Sequence, residues 1–378
     1  MAKVAVDLRP LWSAAANRGG GSYLRSLLDG YARLGPEHDF VWLVPAGAEG
    51  RLPPAALSLG GTTVAAPTGP ARIFDLVDPI RLAAVLDRCR ADLYHSAYLS
   101  LPLRHRCPVI ATLHDLTPLV LWRQFPKSCL RLSLQYALLG SVDLVLADSN
   151  ATAEDAALRL GIDRHRLEVI SLAPGRDFFP VARRAALERV RSLGVEVPYV
   201  LAHGLDDPNK SLPDLLQAVS MAAAQIPDLH LVMVGAAGPR RRRMASMAER
   251  LLGPGRCLWL GWVPSDSLAC LYSACTVYLS ASRHEGFGLP LLEAMACGAP
   301  VLCVRGGASA ETCGPAGEVV EADAGSSLAA ALVRLWQDSE RRQRMGLQGL
   351  EWACGFSIEK TAERTLRAYD RVLAKGIG

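Results

Sequence analysis

Twice along this chain, short apolar runs alternate with stretches of helical spacing, and few folds accept that alternation. In the first half the runs are Lys3 to Asp7, Phe40 to Val44, Leu93 to His95, Val109 to Leu113, Leu144 to Ala147 and Glu168 to Ser171. Between them, Ser22 to Leu34, Asp78 to Cys89, Lys127 to Leu139 and Thr152 to Leu160 repeat apolar residues at helical intervals. Strands joined by helical crossovers run parallel, and a parallel sheet is covered on both faces. The pattern breaks at Pro174 to Arg184 (PGRDFFPVARR), where a connector is expected. A second set follows, with strands at Tyr199 to His203, Leu229 to Val234, Cys257 to Leu260, Val277 to Leu279, Val301 to Val304 and Glu318 to Val320. Its helices are Leu212 to Gln225, Arg241 to Leu252, Ser265 to Ala274, Pro290 to Ala296 and Ser326 to Gln337, and Ser357 to Lys375 adds a last amphipathic helix. The chain therefore reads as α/β, two doubly wound parallel-sheet domains in tandem, with boundaries at 1–178 and 190–355 and a terminal segment at 356–378.

With 378 residues, each half is long enough to bury its own core, and 50% hydrophobic against 21% charged residues is a globular balance. No run approaches the roughly 18 apolar residues that cross a bilayer. The start, MAKVAVDLRP, enters a strand directly and has no signal-peptide core or cleavage site. Ten cysteines without C-x-x-C pairs, several in apolar runs (Cys275, Cys297, Cys303), point to reduced thiols and a cytoplasmic location. A net charge of +4 gives no ground for a nucleic-acid partner. Arg104, Arg106, Arg123, Lys127 and Arg131 interleave with Trp122, Phe125 and Leu130, which is either a solvated helix face or a surface for peripheral contact with the inner face of a membrane. Arg240 to Arg243 read as solvated surface.

The most informative segment is HEGFGLPLLEAMACGAPV. Glu285 and Glu293 stand seven residues apart, with Gly286-Phe287-Gly288 after the first and Pro290 before the second. Thr276 to Ser280 reads as a buried strand upstream, and Pro290 to Ala296 as a helix with proline in its first turn, where a missing N–H costs nothing. A strand, a glycine-rich loop and a helix N-terminus can present N–H groups and about half a positive charge to an anion. At 1.5 Å of rise per residue the two carboxylates lie up to roughly 12 Å apart, a spacing for two hydroxyl-bearing groups flanking a diphosphate rather than for one acid/base dyad.

These residues resemble the E-x7-E signature of the retaining family 4 glycosyltransferases, in its common form EGFGLPxLEAMACGxPV. The resemblance implies a GT-B architecture: two Rossmann-like domains facing across a cleft, with FSIEKTAERTLRAYDRVL as the helix that crosses back to the first domain. The first domain would bind acceptor and the second the nucleotide-sugar. In the same frame, GLDDPNKSL (Gly204 to Leu212) is similar to the family's G-x-L-x-P-x-K-N-L segment and puts Lys210 where the family lysine meets the donor diphosphate. Leu205 stands where many members carry an arginine, and Asn209 replaces another frequent arginine, so the second cationic contact is unassigned. Gly19, Gly20, Gly21 and Tyr23 look like the family's G-x-G-x-Y loop before the first helix, with Gly19 and Gly21 close to phosphate or sugar. His114 and Asp115 resemble the HDLTP stretch whose histidine faces the donor sugar.

The implied roles are a sugar-hydroxyl acceptor in Glu285, a ribose acceptor in Glu293, and leaving-group stabilisation by Lys210 beside Gly286, Phe287 and Gly288. No cofactor or divalent metal is expected. HEGFG is not the H-E-x-x-H zinc motif, and Asp206-Asp207 sits in the turn the resemblance makes the diphosphate loop. The expected activity is transfer of a hexose to a glycan or lipid-linked acceptor in polysaccharide biosynthesis. GDP-mannose is favoured as donor, with UDP-glucose or another UDP-hexose next. A sugar-nucleotide epimerase, a phosphorylase and a catalytically silent glycan- or partner-binding member are the competing readings.

Overall fold

The structure is a computed structural model that describes residues 1–13, 16, 19–66, 71–204, 207–235, 238–323 and 325–375, with backbone alone at 71–76 and 238–240. The chain divides into two compact units, Met1–Ala173 with Phe356–Gly378, and Pro174–Gly355.

In the first unit the strands are β1 (Lys3–Asp7), β2 (Asp39–Pro45), β3 (Thr62–Ala66), β4 (Leu93–Ser96), β5 (Val109–Leu113), β6 (Leu144–Ala147) and β7 (Leu167–Val169). They form one sheet in the order β3-β2-β1-β4-β5-β6-β7, and every described pairing is parallel. Central strands such as β5, buried at all five positions, carry the apolar runs visible in the sequence. β3 is an edge strand of TTVAA with one buried residue, so it has no apolar run to announce it. Ser149 caps the helix Asn150–Leu160 by accepting the Thr152 N–H at 3.0 Å.

The C-terminal helix Ile358–Lys375 packs on the helix Gly19–Leu34 of this unit. Gly30 permits the crossing, because a Cβ there would stand 2.5 Å from the Ala362 Cβ. Thr361 Oγ1 donates to the Ser171 carbonyl at 2.8 Å, and Arg33 pairs with Glu359. Where the chain leaves β1, Arg9 is buried with its guanidinium 2.7 Å from both Asp7 and Asp78, which ties the β1 exit to the helix Ala71–Cys89.

The second unit holds β8 (Tyr199–His203), β9 (His230–Val234), β10 (Cys257–Trp259), β11 (Val277–Ser280), β12 (Val301–Val304) and β13 (Glu318–Val320), in the order β10-β9-β8-β11-β12-β13. The strand order reverses between β8 and β11, and crevices at such points, outside the carboxyl ends of the strands, are where doubly wound sheets bind ligands. Three helices here have no counterpart in the sequence reading, one of them the short Ser309–Cys313. Arg183–Ser192 begins inside the expected connector and buries only Ala186 and Val190, too thin a stripe to show. Ser339–Ala353 buries Gly346 and Gly349 among its few inward positions, and a face of glycine carries no apolar periodicity. Arg241, Arg242 and Arg243 are exposed.

Candidate active site

Lys210 and Glu285 meet at the reversal point of the second sheet. Lys210 closes a single 3-10 turn, Pro208–Lys210, after β8, and the Asp207 carboxylate accepts the Asn209 N–H at 2.9 Å to start that turn. Glu285 lies in the loop after β11 and forms an isolated parallel bridge with Gly307. Its N–H donates to Gly306 O at 3.2 Å and its carbonyl accepts from Ala308 N at 2.8 Å. Only glycine fits at 307: φ is +55° and a Cβ would lie 2.3 Å from the Glu285 carbonyl oxygen.

Asn209 locks the two loops together. Its side-chain oxygen accepts the His284 N–H at 2.9 Å, its amide N–H donates to the His284 carbonyl, and its own carbonyl accepts Arg283 N at 2.9 Å. The Phe287 carbonyl is bonded by the Thr312 hydroxyl. Held from these sides, the Glu285 carboxylate meets the Lys210 ammonium at 2.7 Å, with both side chains less than 15% exposed (13% and 14%). Burial by itself would raise the Glu285 pKa, but the Lys210 charge and hydrogen bond overcome it and hold the carboxyl below its ordinary range.

Glu293 follows on the helix Leu289–Ala296, whose N-cap Gly288 is left-handed at φ +92° and whose second residue is Pro290. The residue is 7% exposed. Burial pushes its pKa up to about 8, against a lesser opposing hydrogen bond from Tyr272. The Tyr272 hydroxyl also lies 3.1 Å from Nε2 of His203, the last residue of β8. His203 is driven down to about 3 by burial, assisted by the Lys210 charge, so it is a neutral imidazole beside the ion pair.

In the first unit, His114 leaves β5 with Nδ1 2.7 Å from Asp148 Oδ2 and Nε2 3.1 Å from the Ala97 carbonyl. A carbonyl only accepts, so Nε2 carries a proton, and both ring nitrogens are already engaged. Burial opposes the imidazolium, but Asp148 outweighs it and the His114 pKa is raised. The Tyr23 ring stands edge-on to His114 at 4.9 Å, with Tyr98 on another side at 5.6 Å.

One expectation needs correcting. Gly19, Gly20 and Gly21 form the first turn of the helix Gly19–Leu34, not a loop before it, because their N–H groups can be left without intrahelical acceptors at a helix start. Gly19 faces open space and Gly21 is buried, whereas Gly20 is the position that excludes a side chain: its Cβ would lie 2.6 Å from the Tyr98 ring. Leu205 and Asp206 lie outside the described residues. Asn209 enters the sequence reading only as the residue in place of a frequent arginine, and Tyr272, His203 and Asp148 are given no role there. Asp148 follows β6 and Asn209 sits in the turn after β8, and no spacing along the chain marks them as partners of His114 or of the Glu285 loop.

Residues 17–173 match the family described as Glycosyltransferase Family 4, and residues 186–352 match Glycosyl transferases group 1. The chain belongs to this family of glycosyltransferases. The glycosyltransferase is 28% identical over 301 residues to the O-antigen chain mannosyltransferase B of Escherichia coli, a match covering 78% of each chain. It is also 28% identical to a D-inositol 3-phosphate glycosyltransferase of Corynebacterium glutamicum, over 99% of this chain and 97% of that protein. Among solved structures it resembles a sucrose-phosphate synthase from Thermosynechococcus elongatus, with a TM-score of 0.78 at 22% identity over 99% of this chain and 100% of that one. It also resembles Anabaena HepE in complex with UDP-glucose, with a TM-score of 0.76 at 19% identity over 98% and 100%. At such identities the likeness is one of fold, the two-sheet α/β fold of GT-B enzymes.

Proposed function

We propose that this glycosyltransferase is a retaining, metal-independent enzyme that moves a hexose from a nucleotide-sugar to a glycan or lipid-linked acceptor. The observation that carries the proposal is the part-buried Lys210–Glu285 pair at the reversal point of the second sheet, with the buried Glu293 on the helix that follows the Glu285 loop. Lys210 supplies a fixed positive charge where a diphosphate leaves with growing negative charge, the place where a positioned cation lowers a barrier most. The ammonium has three donors, so it can hold phosphate oxygens without surrendering Glu285. Glu285, kept ionised, accepts hydrogen bonds from sugar hydroxyls, and Glu293 accepts from the ribose diol. The departing phosphate oxygen takes the acceptor proton on the face it leaves, so no enzymic nucleophile is needed and the anomeric configuration is retained. His114, hydrogen-bonded to Asp148, meets the donor sugar.

The residues 190–355 form the donor-binding domain in this reading, and 1–178 the acceptor-binding domain. Mannose from GDP-mannose is the favoured donor, in keeping with the mannosyltransferase relative. UDP-glucose is second, in keeping with the UDP-glucose complex of HepE. A cytoplasmic enzyme docked peripherally on the inner face of a membrane suits the exposed Trp122 and Leu130 with Arg123, Lys127 and Arg131 around them. Among the described residues, no helix is long and apolar enough to cross a membrane.

Calorimetric titration with GDP and with UDP, each with and without magnesium, tests the reading. Micromolar binding of one nucleotide, unchanged by magnesium and lost in Glu293→Ala, is expected. Binding of neither, or binding that requires magnesium, overturns it.

A further inference from the structure

Five buried polar side chains of the first unit join the C-terminal helix to the glycine-led helix. Tyr31 donates its hydroxyl proton to Tyr369 Oη at 2.8 Å. Tyr369 Oη lies 2.6 Å from His95 Nδ1, His95 Nε2 lies 2.8 Å from Thr112 Oγ1, and Thr112 Oγ1 lies 3.1 Å from Tyr23 Oη. Tyr31, Tyr369 and His95 are 0% exposed, Thr112 2% and Tyr23 5%.

The chain has a direction. Since Tyr31 donates to Tyr369, the arrangement that leaves no buried hydroxyl proton unpaired has Tyr369 donating to His95 Nδ1. A neutral ring then carries its proton on Nε2 and donates it to Thr112. Burial keeps His95 neutral, with a pKa near 3. Thr112 and Tyr23 share the last hydrogen bond, and the Tyr23 ring backs His114 at 4.9 Å. A buried network of this kind is rigid while every member is satisfied and loosens when one link is cut.

We infer that Tyr369, on the C-terminal helix, is a positioning residue for His114, acting through His95 and Thr112 on Tyr23. The inference rests on the proposed function, in which His114 meets the donor. It gives the returning helix a task besides packing: the tautomer of His95, and with it the hold on Tyr23, is set by a residue more than 250 positions away in sequence.

The test compares Tyr369→Phe with Tyr31→Phe in the full-length protein. Tyr31→Phe removes a link on the far side of Tyr369 and leaves the Tyr369–His95 bond intact. The expected result is a kcat lowered about tenfold or more in Tyr369→Phe. KM for the donor and calorimetric affinity for nucleoside diphosphate stay unchanged. Tyr31→Phe stays within about twofold of wild type, with both variants comparably destabilised. Nitrogen NMR of His95 should show a proton on Nε2 in wild type and in Tyr31→Phe, and a mixed tautomer in Tyr369→Phe. Equal kinetic losses in the two variants, an unchanged kcat in Tyr369→Phe, or a wild-type His95 protonated on Nδ1 overturns the inference. Failure of wild type to bind any nucleoside diphosphate would instead overturn the proposed function, and the His95 tautomer would still read the chain directly.

Discussion

Lys210 Nζ lies 2.7 Å from Glu285 Oε1 across 75 positions of sequence, and neither group reaches that contact by local structure. The lysine ends a turn after β8 and the glutamate lies in a loop after β11, adjacent strands of one sheet. A pair so little exposed has lost much of its hydration, so each charge depends on the other. Lys210→Met should therefore cost up to about 3–5 kcal/mol of stability by leaving a largely buried carboxylate without its counter-charge. It should also cost on the order of 10²–10³ in turnover. The double change Lys210→Met/Glu285→Gln should recover most of the stability and none of the activity. Chemical denaturation and initial rates read the two effects separately.

Asn209→Asp keeps the shape of the side chain but cannot donate to the His284 carbonyl. We expect about 1–3 kcal/mol of destabilisation from the lost hydrogen bond and the added charge. Donor KM should rise and kcat fall together, because the Glu285 loop loses its register against Lys210. Unchanged kinetics alongside lower stability would show that the clamp serves folding only.

Gly307→Ala places a methyl group 2.3 Å from the Glu285 carbonyl oxygen at a φ of +55°. Gly298→Ala is the control. Its φ of +78° is similarly unfavourable, but its Cβ would meet only the Leu350 side chain, at 3.7 Å or more. Both should lose about 1–2 kcal/mol to the left-handed backbone. Only Gly307→Ala should also lose turnover, because Glu285 has to move.

Glu293 predicts two pH effects. Its folded pKa of about 8 lies above its ordinary value of 4.5, so its contribution to stability is fully present below about 4.5 and is lost as pH rises through 8. Glu293→Gln does not ionise, so its thermal midpoint relative to wild type should climb between these limits, by about 1.4 kcal/mol of stability per pH unit. A ribose diol favours the carboxylate, so nucleotide affinity should rise with pH up to about 8, with proton release on binding. Calorimetry in buffers of different ionisation enthalpy measures that release. A heat independent of buffer would contradict it.

The central strands of both sheets were legible because a strand covered on both faces must be apolar throughout, as in VIATL of β5 and VLCV of β12. β3 and the helix Ser339–Ala353 were not, since an edge strand of threonine and alanine and a helix packing through glycine leave no periodic signature. Within the site, Glu285, Glu293 and Lys210 could be picked out because their segments, HEGFGLPLLEAMACGAPV and GLDDPNKSL, resemble the family's motifs.

The two-domain α/β fold and the strand–loop–helix that carries both glutamates were readable from the amino-acid order, because they follow from local propensity and short spacing. The lysine turn was readable only through its likeness to the family's segment. Only the tertiary structure decided that Asn209 binds both backbone groups of His284, that Asp148 supports His114, and that Tyr369 reaches His95. Each of these contacts joins polar residues distant in sequence and buried where strand order and helix crossing bring them together. A hydrogen bond formed that way is specified by the whole fold, and no spacing along the chain encodes it.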